Sequence, residues 1–179
     1  KTAGLVCDGE IHELNVKNNF NLKESEYIEI IRKKTSVLLA CCLEAGARFA
    51  GASEEEAERL NRFGIAFGNA FQIVDDCLDF TGDEHEFGKT LGADLEAGVL
   101  TLPLIRLLGK IKPEERSEII HTFKEGTGKD RLQDLLRRIH TSGSLQDAYD
   151  KAYEYCDTAR KELKLFENNT ARRNIKKLL

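Results

Sequence analysis

Methionine is absent from this chain of 179 residues, which begins Lys1-Thr2-Ala3. It therefore reads as a piece of something longer. Only two prolines occur, and strand-like alternation of apolar and polar residues is scarce, which points to a mostly α architecture. No run approaches the roughly 18 to 20 apolar residues of a membrane span, and no basic-then-apolar opening marks a signal peptide. The expected setting is cytoplasmic, with at most peripheral membrane contact. The five cysteines include the adjacent pair Cys41-Cys42 and no CxxC spacing, and only four histidines accompany them. That pattern fits buried thiols in a reducing compartment better than a disulfide framework or a zinc site. A net charge of −4 argues against a general nucleic-acid binder, so no nucleic-acid partner is expected.

What is present can build a core, since 41% of the residues are hydrophobic and the length suits one domain. The periodicity predicts helices over 2–18, 24–50, 54–81, 99–110, 113–125, 129–140, 144–166 and 170–178. Ser53-Glu54-Glu55-Glu56 supplies an N-cap serine with carboxylates in the first turn. Pro113 suits a first-turn position, and Gly51 and Gly126 suit terminators. The segment 81–96, with Gly82, Gly88, Gly92, Lys89 and Asp94, predicts a long, polar, functional loop.

The sharpest local signal is Phe71-Gln72-Ile73-Val74-Asp75-Asp76-Cys77-Leu78-Asp79. At about 100° per residue, Gln72, Asp75, Asp76 and Asp79 fall within an arc of roughly 100°. Phe71, Ile73, Val74, Cys77 and Leu78 occupy the rest of the circumference. A DDxxD on a surface helix is ordinarily a solvated face. Here apolar residues would bury most of the girth around a narrow acidic strip, which predicts carboxylates facing an internal cavity. Asp75 and Asp79, four residues apart, stand one above the other and offer hard oxygen ligands suited to Mg²⁺. Gly68, on the same arc one turn earlier, leaves space beside them.

A basic residue answers the strip. Tyr27, Leu38, Cys41 and Ala45 share a helix face with Lys34, so Lys34 is expected to point inward, where a buried ammonium needs an anionic partner. Two arrangements satisfy these charges. Lys34 could pair directly with the strip, or Lys34, Lys89 and Mg²⁺ together could hold a diphosphate.

These residues resemble those of the trans-isoprenyl (polyprenyl) diphosphate synthases. Ile31-Arg32-Lys33-Lys34-Thr35 is similar to the family's lysine-threonine helix, and Phe71 to Phe80 is similar to its second aspartate-rich motif. Gly88-Lys89, Gly92-Ala93-Asp94-Leu95-Glu96-Ala97-Gly98 and Thr101-Leu102-Pro103 resemble the segment after that motif. Asp8-Gly9-Glu10-Ile11-His12-Glu13-Leu14 resembles the Gly-Glu helix before the lysine. The matching motifs keep the family's order and spacing over residues 8–105.

The resemblance implies an all-α, isoprenoid-synthase-type helical bundle, with residues 1–179 as the C-terminal portion of a single synthase domain whose N-terminal helices are absent. It implies condensation of an allylic diphosphate with isopentenyl diphosphate, assisted by Mg²⁺, in a homodimer or heterodimer. It also implies the roles of residues. Asp75, Asp76 and Asp79 would serve the metal, with Asp79 acting directly or through water. Lys34 and Lys89 would hold the allylic diphosphate and stabilise the departing pyrophosphate. Thr35 and Gln72 would line the reacting centre, with Phe71 and Asp76 in the substrate pocket.

The departures from the family pattern also carry expectations. The first aspartate-rich motif and the arginines after it have no counterpart here, Val99 stands where many members carry a basic residue, and Glu13 stands where a polar residue near the cavity is expected. Three readings follow: an inactive piece of an active synthase, a non-catalytic or regulatory subunit of a hetero-oligomeric synthase, and a terpene cyclase. The Lys-Thr and Phe-Gln-x-x-Asp-Asp combination disfavours the third.

Overall fold

The computed structural model describes residues 1–81, 92–125 and 129–179, with side chains for 1–81, 92–121 and 131–179. Gly82, Gly88, Lys89 and Gly126 lie outside the described residues. All regular elements among the described residues are helical: α1 (Thr2–Asn15), α2 (Glu24–Ile31), a π-helical turn (Arg32–Ser36), α3 (Val37–Phe49), α4 (Glu54–Thr81), α5 (Ala93–Glu96), α6 (Leu102–Lys110), α7 (Pro113–Glu125), α8 (Lys129–Thr141), α9 (Ser144–Leu163) and α10 (Thr170–Lys176).

Local chemistry sets several of these ends. Ser53 Oγ accepts the Glu56 backbone N–H at 3.3 Å while Glu56 Oε2 accepts the Ser53 backbone N–H at 2.8 Å, a reciprocal capping box that starts α4. Gly51, at φ 79°, takes the left-handed conformation that closes α3. Pro113 opens α7, where its missing N–H costs nothing.

The structure departs from sequence expectation in several places, among them the thiols, of which Cys77 is buried while Cys7 and Cys42 are exposed. The first helix ends at Asn15, and Asn18 then adopts φ 58° with its backbone N–H donating to the Gly98 carbonyl at 2.9 Å. The predicted 24–50 helix is interrupted by the π turn, in which Val37 N–H bonds back to the Arg32 carbonyl. The segment read as loop contains α5, and α6 begins at Leu102 rather than Val99. The apolar girth expected around the acidic strip is not closed. Ile73, Cys77 and Phe80 are buried, whereas Phe71, Val74 and Leu78 are exposed.

The contacts divide the chain into two units. The first comprises 1–12, 28–72 and 151–179, and the second 13–27 and 73–150. In the first, Phe63, Ala66, Ala159 and Leu163 form a buried cluster against which Leu43, Leu60, Phe67, Phe166 and Ile175 pack. In the second, α6 contributes Leu102, Leu104, Leu107 and Leu108 to the interior, alongside Phe20, Leu132, Leu135 and Ile139. Arg116 donates to the Phe20 carbonyl at 2.7 Å and the Leu108 carbonyl at 3.2 Å, and Arg106 pairs with Glu24 at 2.8 Å. These cations satisfy carbonyls and a carboxylate at the edge of that apolar core.

Candidate active site

On α4 the acidic residues straddle the border between a buried and an exposed face. Taking Gln72 as origin at about 100° per residue, Ile73, Cys77 and Phe80 centre near 100°, whereas Phe71, Val74 and Leu78 centre near 230°. Asp76 lies on the buried side of the acidic arc, at 7% exposure, and Asp75 on the exposed side. Gln72 and Asp79 sit at the border, half-buried. The three carboxylates therefore have three different environments.

Within the second unit, the Tyr27 hydroxyl donates to Asp76 Oδ2 at 2.6 Å, with both groups buried. Burial, followed by the charge of Asp76, pushes the Tyr27 phenol well above its ordinary pKa. Burial likewise pushes the Cys77 thiol up to about 12. Asp79 faces backbone. Its Oδ1 accepts the Ala93 N–H and its Oδ2 the Asp94 N–H, each at 3.0 Å, while its own carbonyl accepts Gly92 N–H at 3.0 Å. A carboxylate at the orphan N–H groups that open α5 satisfies those donors and meets the positive end of the helix dipole. Gly92, at φ 78°, makes the turn that presents those donors, and an added Cβ there would stand 2.6 Å from Leu132 Cδ1.

Within the first unit, close backbone approach sets the register. A Cβ on Gly64 would lie 2.4 Å from Ala40 Cα, and one on Gly68 would lie 2.6 Å from Ser36 Cα. The glycines let α4 lie directly against the π turn and α3. Gly68 thus admits Ser36; the space expected beside the acidic strip is filled. In this register Ser36 Oγ donates to Asn69 Oδ1 at 2.6 Å, and Thr35 Oγ1 donates to Gln72 Oε1 at 2.7 Å. Gly9 plays the same part for α1, since a Cβ there would stand 2.7 Å from the Lys34 backbone nitrogen. Glu10 then reaches Lys34, Oε2 to Nζ, at 3.8 Å.

Lys34 is half-buried rather than buried, and the stripe expected to share its face is split: Tyr27 is buried and Leu38 exposed. The physical reason is the π turn, whose i→i+5 hydrogen bonding inserts a residue and rotates everything after it relative to α2. A 3.6-residue count across residues 32–36 cannot follow that rotation. Sequence reasoning also left Glu10, Ser36, Asn69 and Tyr27 without site roles. The Gly9-Glu10 and Gly68-Asn69 pairs carried the usable signal, a glycine for approach followed by a polar group for contact.

Among the described residues no group of three His, Cys, Asp or Glu side chains stands together as a ready metal cluster. The donor chemistry of the acidic motif nevertheless fits a hard cation. Mg²⁺ commonly uses one or two protein carboxylates and completes its shell with water and phosphate oxygens. Asp75 presents an exposed carboxylate. Asp79 accepts one N–H on each oxygen, which leaves each oxygen a second lone pair. Asp76, buried beneath Tyr27, is the least placed of the three to reach an ion. Phe71 is exposed, its ring 6.3 Å from that of Phe67, and Lys89 lies outside the described residues.

Comparison with known proteins covers most of this ground. The family model described as polyprenyl synthetase matches residues 1–139. The chain is 35% identical over 170 residues to an all-trans-nonaprenyl-diphosphate synthase (geranyl-diphosphate specific) of Rhodobacter capsulatus, covering 95% of this chain and 52% of the relative. It is also 35% identical over 159 residues to a heptaprenyl diphosphate synthase component 2 of Geobacillus stearothermophilus, covering 89% of this chain and 49% of the relative. A crystal structure of a polyprenyl synthase from Caulobacter crescentus CB15, complexed with calcium and isoprenyl diphosphate, superposes with a TM-score of 0.93 at 32% identity, covering 99% of this chain and 54% of that one. The chain spans about half the length of the curated relatives it matches.

Proposed function

Because this chain belongs to the polyprenyl synthetase family, we propose that it forms part of a prenyltransferase that joins an allylic diphosphate to isopentenyl diphosphate and releases pyrophosphate. The observation that carries this reading is the exposed face of α4, where Asp75 stands among Phe71, Val74 and Leu78. One face thus combines a hard oxygen ligand with apolar wall, the two surfaces that an isoprenoid diphosphate requires. In the net reaction the allylic C1–O bond breaks, the isopentenyl double bond attacks C1, and loss of a proton forms the new double bond.

In this reading Asp75 would hold Mg²⁺, with Asp79 contributing through its remaining lone pairs directly or through water. When bound, the ion would neutralise diphosphate oxygens and ease departure of the leaving group. Lys34 and Lys89 would hold the allylic diphosphate by charge. Glu10 beside Lys34 orients the ammonium before substrate arrives. Thr35 and Gln72 would hold a defined polar surface at the reacting end, their mutual hydrogen bond fixing the Gln72 amide. Phe71, Val74 and Leu78 would shield a developing cation from water.

Similarity to a synthase component 2 supports a second reading, in which this chain acts with a different polypeptide as one subunit. The first reading expects a homodimer or heterodimer and the second an assembly of unlike chains, each working in the cytoplasm. No helix among the described residues is long and apolar enough to cross a membrane. The deciding experiment is chain elongation with isopentenyl diphosphate and allylic primers of increasing length, run on residues 1–179 and on the complete gene product. Elongation by the complete product and none by residues 1–179 is expected. Product from residues 1–179 alone would overturn the inactive-piece reading, and no elongation by the complete product would favour the subunit.

A further inference from the structure

Two consecutive aspartates with opposite environments need something to hold them so. Asp75 is exposed and Asp76 is 7% exposed, although the two stand only about 100° apart on one helix. The Tyr27 hydroxyl bonds the buried one. It projects from α2, is 3% exposed, and donates to Asp76 Oδ2 at 2.6 Å, the short length of a charge-assisted bond. A buried carboxylate without such a donor is costly, so the bond, together with the buried Ile73, Cys77 and Phe80, holds the rotation of α4 at residue 76. Because the two aspartates share one rigid helical backbone, that lock also sets where Asp75 points. It leaves Asp76 as an internal anchor.

We propose that Tyr27 is a positioning residue for the acidic motif: by anchoring Asp76 it removes that carboxylate from the ligand set and presents Asp75 to the metal. The inference rests on the reading of Asp75 as a metal ligand. It also differs from treating the three aspartates as an equivalent cluster.

Binding of Mn²⁺ in the presence of inorganic pyrophosphate, followed by the electron paramagnetic resonance of the free ion, tests it on residues 1–179 without any turnover. The variants are Tyr27→Phe, Asp76→Asn, Tyr27→Phe with Asp76→Asn, and Asp75→Asn. The double variant removes the buried charge along with its donor and so guards against simple unfolding, which circular dichroism and melting report separately. Expected results are at least tenfold weaker binding for Asp75→Asn, three- to tenfold weaker binding for Tyr27→Phe, and no further weakening in the double variant. Tyr27→Phe with a lowered melting temperature but wild-type affinity would make Tyr27 merely structural and overturn the inference. So would Asp76→Asn weakening binding as much as Asp75→Asn, which would make Asp76 a ligand. A wild-type chain that binds no Mn²⁺ would instead overturn the ligand reading of Asp75, and the inference with it.

Discussion

Thr35 and Gln72, 37 positions apart in sequence, meet in a hydrogen bond of 2.7 Å between hydroxyl and amide oxygen. Thr35 stands in the π turn and Gln72 on α4, and the pairing depends on the close approach of Gly68 to Ser36 one position further along. A double-mutant cycle with Thr35→Val and Gln72→Leu should show a coupling of about 0.5 to 1.5 kcal/mol in urea unfolding, the net worth of one such bond. Additive effects would mean that the two side chains do not share a bond in solution.

Helical glycines should separate into two classes. Gly68→Ala places a methyl 2.6 Å from Ser36 Cα, so backbone must shift and a loss of about 1 to 3 kcal/mol is expected. Gly46→Ala, in α3 with nothing within 4 Å of the new Cβ, should stabilise by roughly 0.5 to 1 kcal/mol through reduced unfolded-state entropy. Thermal melts of the two variants should move in opposite directions.

Asp79→Ala should free the Ala93 and Asp94 amides that its carboxylate holds at 3.0 Å. By analogy with loss of a helix cap, a cost of about 1 kcal/mol is expected, with faster hydrogen exchange concentrated at those two amides. Asp79→Asn retains one acceptor oxygen and should protect Ala93 or Asp94, not both. Unchanged exchange in both variants would refute the clamp.

Alkaline stability should report Tyr27. Burial and the Asp76 charge raise its folded-state pKa, so above the ordinary tyrosine value of about 10 the folded chain keeps a proton that the unfolded chain releases. Stability from this group is level below that pH and falls above it, by up to about 1.4 kcal/mol per pH unit. The advantage of wild type over Tyr27→Phe should therefore shrink as pH rises past about 10, as read from urea midpoints at each pH.

Helix 54–81 was legible to the residue, because a serine cap, three acidic residues and a long apolar period all act within a few turns of one another. The Lys34-Thr35 and Phe71–Asp79 motifs were legible for the same reason: they are contiguous. The role of Asp79 was not, since the backbone N–H groups it accepts lie 14 and 15 residues downstream and no local pattern marks them as its partners.

Local sequence thus determined which segments coil into helices and which chemistry each carries, because propensity, capping and periodicity are short-range. Tertiary structure decided which side of each helix faces inward. The π turn at 32–36 rephases everything after α2, and glycine approaches at 9, 64 and 68 fix the depth at which helices meet. The Tyr27–Asp76 bond, spanning 49 residues, joins a buried Asp76 to α2 while its neighbour Asp75 is exposed. A one-residue insertion or a single buried hydrogen bond rotates a face by tens of degrees, and that rotation is set by distant partners rather than by the segment itself.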